Sequence, residues 1–196
     1  MSQLIDYIKK PFFIWIIANI LGFGALGIAL LVIPSLMSVS GIFGSTLIIS
    51  IPISLAQWIA LRRIFPTSTL WILSIPVGIL LVILIIRELS DRLWQIVDDQ
   101  SPAALTVGYL LIGLIIALPQ WLLLRHQFSN SSIWLLGSSI GVALGFGLVL
   151  ATDLINQSTI ISYIVAVFVY AISTGLILSR LIDYHNQSQS NRVTAA

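Results

Sequence analysis

The chain has 196 residues, of which 58% are apolar and only 8% charged, with a formal net charge of +2 and no cysteine. That balance cannot be arranged as an apolar core wrapped in a polar shell, so a water-soluble globule is excluded. The small charge gives no reason to expect a nucleic-acid partner, and without cysteine there is no disulfide, thiolate metal site or palmitoyl anchor.

Lys9 and Lys10 precede the first of six apolar runs, residues 12–37, which is about twice the length of a secretory signal core and is expected to remain in the mature chain. The other runs are 41–61, 69–86, 102–124, 132–150 and 159–178. At about 1.5 Å per residue a helix of this length crosses a hydrocarbon layer of about 30 Å. Lipid offers no hydrogen bonds, so such segments must be helices or a closed barrel. A barrel strand would alternate apolar and polar residues, whereas ILLVILII at residues 79–86 and LLIGLII at 110–116 are apolar all round. The predicted fold class is therefore all-α, an integral membrane bundle of six transmembrane helices. Pro52, Pro76 and Pro119 are expected to kink their helices.

Residues 87–101 place Leu89, Leu93, Ile96 and Val97 on one helical face, which predicts a short interfacial helix on the outer leaflet. The alternative is a plain extension of the third span. Beyond Asp183 the tail HNQSQSNRVTAA is polar and lacks periodicity, so disorder is expected over 183–196, with a short partner-binding segment as the lesser alternative.

With six crossings, Lys9, Lys10, Arg62, Arg63, Arg125, Arg180 and Arg192 fall on one side of the membrane. Arg87 and Arg92 fall on the other, together with Glu88, Asp91, Asp98, Asp99 and Asp153. Basic residues stay on the cytoplasmic side, so both the N and C termini are expected to be cytoplasmic.

Internal repetition is the most specific signal. The pattern W-x2-[AGS]-x3-G occurs at Trp15, Ala18 and Gly22, at Trp71, Ser74 and Gly78, and at Trp134, Gly137 and Gly141. At the far end of each following span stand Gln57 and Arg62, Gln120 and Arg125, and Gly175 and Arg180, with one five-residue offset throughout. The unit is a two-helix hairpin, and one membrane domain of three tandem hairpin repeats is expected, over about 12–62, 69–125 and 132–180. Such units keep one orientation in the membrane, so a symmetry axis would run along the membrane normal. That argues against transporters built from inverted repeats.

Gln57, Trp58, Leu61, Arg62 and Trp71, then Gln120, Trp121, Leu124, Arg125 and Trp134, carry a QW-x2-LR phrase followed by a further tryptophan. In this respect the chain resembles a family of uncharacterised bacterial multi-pass membrane proteins. The resemblance covers nearly the whole chain in repeating form and implies architecture only: a multi-pass protein of the cytoplasmic (inner) membrane, or of another internal bacterial membrane. Three two-helix repeats also describe mitochondrial carriers, but their acidic-basic motif after proline is absent.

Trp15, Trp58, Arg62, Trp71, Trp121, Arg125, Trp134 and Arg180 are expected as interface anchors, with indole rings at headgroup depth and guanidinium groups reaching water or phosphate. Ala18, Gly22, Ser74, Gly78, Gly137, Gly141 and Gly145 are expected to let helices approach closely. Asn19, Gln57 and Gln120 are polar groups that either bond to neighbouring helices or line a cavity. No Asp, Glu, Lys or Arg lies near a predicted midplane, and His126 and His185 have no partners at a metal-ligand or haem-ligand spacing. Neither an enzyme nor a cofactor is expected. The composition favours a non-catalytic structural or interaction component that binds lipid or other membrane proteins, with a homo-oligomer among the possible assemblies, through Gly-rich helix faces. The alternative is a passive pore or carrier for a small neutral or apolar solute.

Overall fold

The computed structural model describes residues 2–32, 39–97, 102–153 and 159–194. Six helices account for nearly all of them: α1 (Ser2–Val32), α2 (Val39–Leu61), α3 (Trp71–Val97), α4 (Pro102–Leu124), α5 (Ser132–Asp153) and α6 (Thr159–Thr194), with no strand among the described residues. Four stretches are long and apolar enough to cross a membrane, Trp71–Glu88, Ala104–Leu124, Ser132–Val149 and Ile161–Gln187. Pro11–Ala25 and Ser50–Leu61 are shorter apolar helical stretches among the described residues. The molecule is thus an all-helical bundle of membrane-protein composition.

The helices form a closed ring. Each packs along its neighbours in sequence and α6 closes back on α1, while among the described residues helices that are not neighbours meet through side chains at the centre. Polar and apolar surfaces are distributed in reverse of the water-soluble pattern. Phe13, Leu73, Leu111, Leu136, Ile164 and Leu176 point outward, whereas Asn19, Gln57, Gln120 and Thr174 have no exposure at all. Such an arrangement suits a solvent of hydrocarbon, where outward apolar groups cost nothing and inward amides bond to one another.

Pro52, Pro76 and Pro119 lie inside α2, α3 and α4, and each helix continues past its proline. The segment after residue 86 is no separate interfacial helix: α3 runs unbroken from Trp71 to Val97, so the extension of the third span is the form adopted. Residues 98–101 lie outside the described residues, as does Met37, the end expected for the first span. The tail also departs from the expected disorder, because α6 stays helical to Thr194. A helix already nucleated by a packed span adds one backbone hydrogen bond per residue, and the run from Tyr184 to Thr194 holds no proline or glycine to stop it.

Candidate functional site

The interior is built from one side chain of each odd-numbered helix and one of each even-numbered helix. Trp15 on α1, Trp71 on α3 and Trp134 on α5 meet at the centre. The Trp134 ring stands edge-on to Trp15 at 5.6 Å and to Trp71 at 6.1 Å, and all three side chains are fully buried. Edge-to-face packing sets the positive rim of one ring against the negative face of the next. These three indoles were expected as interface anchors with their rings at headgroup depth. They turn inward, where each buried N–H finds an acceptor on a neighbouring helix.

Those acceptors come from the neighbouring helix. Trp71 Nε1 donates to Gln57 Oε1 (3.3 Å), Trp134 Nε1 to Gln120 Oε1 (3.0 Å) and Trp15 Nε1 to Thr174 Oγ1 (2.9 Å). The first two pairs are each 14 residues apart, and the third joins the two ends of the chain. The Thr174 hydroxyl in turn donates to Tyr170 O at 2.7 Å.

The two glutamines and Asn19 converge. Gln57 Nε2 donates to Asn19 Oδ1 (2.9 Å), Gln120 Nε2 donates to Gln57 Oε1 (3.4 Å), and Asn19 Nδ2 donates to Trp15 O (2.9 Å). All six helices therefore feed one polar knot with Gln57 as its hub. At residues with no exposure each amide group left alone would be costly, so mutual bonding is what lets them sit there. Their polar atoms are spent on each other. Neither of the two pockets described is lined by Asn19, Gln57 or Gln120.

The layers around the knot are regular. One turn along from Gln57, Gln120 and Thr174 stand Leu61, Leu124 and Leu178, all buried, and beyond them Phe65, Phe128 and Ile182 join the same core. Phe65 and Phe128 meet edge-on at 5.1 Å, and Gln127 Nε2 donates to Pro66 O at 2.7 Å, so the α2–α3 and α4–α5 connections interlock.

The small residues lie at helix crossings. A Cβ added at Gly22 would stand 2.7 Å from Ile53 Cα, and one at Gly78 would stand 2.7 Å from Ile116 Cα. Gly137, Gly141 and Gly145 face Ile177, Tyr170 and Ala166 of α6. Ala18 is buried, and Ser74 turns its hydroxyl back to Trp71 O at 2.7 Å. Gly113, passed over in the sequence, packs at 2.7 Å from Ser139 Cα by the same measure. Its only signal is a lone glycine inside LLIGLII.

Thr174 was also passed over, for a traceable reason. The sequence pairs Gly175 and Arg180 with Gln57 and Arg62 through the five-residue offset. Ser179 separates Leu178 from Arg180, whereas Leu61 and Leu124 precede their arginines directly, so reading back from arginine lands one residue late. A side chain at Gly175 would press on Phe12 and Trp15 at 3.1 and 3.2 Å, which leaves no room there for a second glutamine.

At the rim, Arg62 lies over the Trp58 ring at 4.6 Å and Arg125 over the Trp121 ring at 5.6 Å, while Arg180 is exposed. The N–H groups of Trp58 and Trp121 are buried without an acceptor. Among the described residues no three His, Asp or Glu side chains gather as a metal site would require. No protein-family model, curated protein or solved structure matches the chain.

Proposed function

We propose that the chain is a non-catalytic integral membrane protein of six spans, three tandem hairpins closed into a ring, with both termini cytoplasmic, and that it serves as a membrane-embedded scaffold contacting lipid and other membrane proteins. The observation that carries this reading is the inverted polarity of the ring, with large apolar side chains outward and Asn19, Gln57, Gln120 and Thr174 bonded to one another inside. Catalysis would need a reactive group held near an open cavity, and every amide in the knot already has a partner in its neighbours.

The threefold organisation is supported by three matched sets on successive hairpins: Trp15, Trp71 and Trp134, their acceptors Thr174, Gln57 and Gln120, and the leucines one turn on. The resemblance to bacterial QW-x2-LR membrane proteins belongs to the same proposal, as does placement in the cytoplasmic membrane. One element of the sequence reading changes. Gly22, Gly78, Gly137, Gly141 and Gly145 are covered by neighbouring helices, so partners would meet the outer apolar belt, where Gly24 and Gly147 have open space around them.

A passive pore is the competing reading, favoured by the convergence of Asn19, Gln57 and Gln120. It requires the Trp15, Trp71 and Trp134 cluster to part. Purified protein reconstituted in liposomes separates the two. The scaffold reading expects no flux of small neutral solutes above that of empty vesicles, and flux that rises on Trp134→Ala and is already present in the unaltered chain would favour the pore.

A further inference from the structure

The α2–α3 connection holds an open, shallow cleft of about 420 Å³ bordered by Trp58, Arg62, Pro66, Thr67 and Ser68. Its polar wall presents donors. Arg62 is exposed, stacks on Trp58 through one face, and has no carboxylate partner among the described residues. A stacked guanidinium keeps the N–H groups along its edge free for a forked contact with an oxyanion. Ser68 Oγ accepts the Leu70 N–H at 3.2 Å, which leaves its own proton to donate outward. Trp58 Nε1 is buried, so Trp58 contributes its ring to the wall and no donor. Thr67 differs from Ser68, since its hydroxyl is engaged with Phe65 O at 3.1 Å.

We propose that this cleft binds a phosphate group, with Arg62 as the charged fork and Ser68 as a second donor. The assignment rests on the membrane reading above, which sets Arg62 at the end of a span at headgroup depth, where phosphate is the abundant anion. The related Trp121 and Arg125 pair supplies an internal control. Its stack is looser at 5.6 Å, and the space at the α4–α5 connection measures about 10 Å³ and is lined by neither residue. Two similar phrases in sequence thus end in a close stack beside a depression wide enough for a phosphate and in a looser stack.

The test uses the full chain purified in a neutral detergent and titrated by calorimetry with dihexanoylphosphatidylglycerol, dihexanoylphosphatidylcholine or inorganic phosphate. The anionic lipid is expected to bind, with affinity falling roughly tenfold or more in Arg62→Gln, less in Ser68→Ala and not at all in Arg125→Gln. Arg62-dependent binding of the lipid without binding of inorganic phosphate assigns a headgroup. Arg62-dependent binding of both assigns the free ion as a ligand of the same cleft. Equal binding of both lipids whatever stands at position 62, or equal losses in Arg62→Gln and Arg125→Gln, overturns the site. Should Arg62→Gln fail to elute as a monodisperse helical protein, Arg62→Lys keeps the charge without the fork and is expected to lose part of the affinity; an unchanged affinity overturns the forked contact. A chain that stays dispersed without detergent overturns the membrane reading independently of these titrations.

Discussion

The amides of Gln57 and Gln120, 63 residues apart in the chain, share a hydrogen bond of 3.4 Å from Gln120 Nε2 to Gln57 Oε1. That one oxygen also accepts the Trp71 indole, while the other end of the Gln57 amide donates to Asn19. Four helices are therefore joined through a single side chain that no solvent reaches.

Gln57→Leu is expected to cost about 2 to 3 kcal/mol, since it strands the Trp71 and Gln120 donors and the Asn19 acceptor together. Gln120→Leu is expected to cost less. The double variant should be less destabilised than the sum, because both changes remove the shared bond. Unfolding in mixed micelles with rising denaturing detergent measures all three, and strict additivity would count against the hub.

Trp134→Ala empties the centre of the ring, where one indole meets two others, and is expected to cost about 3 to 5 kcal/mol. Trp58→Ala, on a half-buried rim residue, should cost markedly less. Thermal unfolding in detergent ranks them, and an equal loss would mean the inner cluster does not hold the bundle together.

Thr174→Val keeps the shape of the side chain and removes the acceptor of the Trp15 N–H, for an expected loss of about 1 kcal/mol or more. Thr174→Ser should restore most of it. Gly175→Ala acts differently, through pressure on Phe12 and Trp15. If Thr174→Val is neutral, the α6 register argued from this bond is wrong.

Gly78→Ala sets a methyl group 2.7 Å from the Ile116 backbone and must push α3 and α4 apart, at about 1 to 3 kcal/mol. Gly24→Ala, with nothing within 4 Å, is expected to be neutral or to gain up to about 1 kcal/mol from helix propensity. Melting temperatures that move together would refute the close α3–α4 crossing.

Because the chain lacks cysteine, single substitutions report sidedness cleanly. Ser129→Cys, in the α4–α5 connection, and Asn186→Cys, on the last turns of α6, are expected to react with a membrane-impermeant thiol reagent only after the cells are opened. Labelling of either from outside intact cells would overturn the cytoplasmic placement of that end.

The all-helical fold was legible because lipid-compatible composition and unbroken apolar runs leave the backbone little choice but to satisfy its own hydrogen bonds. The ends of α4 could be read directly, as Pro102 opens it and Arg125 follows it. The ends of α3 and α6 could not, since Arg87 to Val97 and Tyr184 to Thr194 are polar enough for loops yet helical enough to continue a packed span. Repetition marked Trp15, Trp71, Trp134, Gln57 and Gln120 as special without saying why. Periodicity gives the spacing of side chains along one helix, but not which neighbour each one faces.

Sequence alone indicated the solvent that this composition suits and the type of element the chain uses, because both depend on summed composition and on local backbone bonding. Closure of α6 on α1, the inward turn of three indoles and the choice of Thr174 over Gly175 were decided only in three dimensions. Those outcomes depend on which buried donor can reach which acceptor across a helix boundary, and no stretch of linear sequence contains both partners of the Trp15 and Thr174 bond.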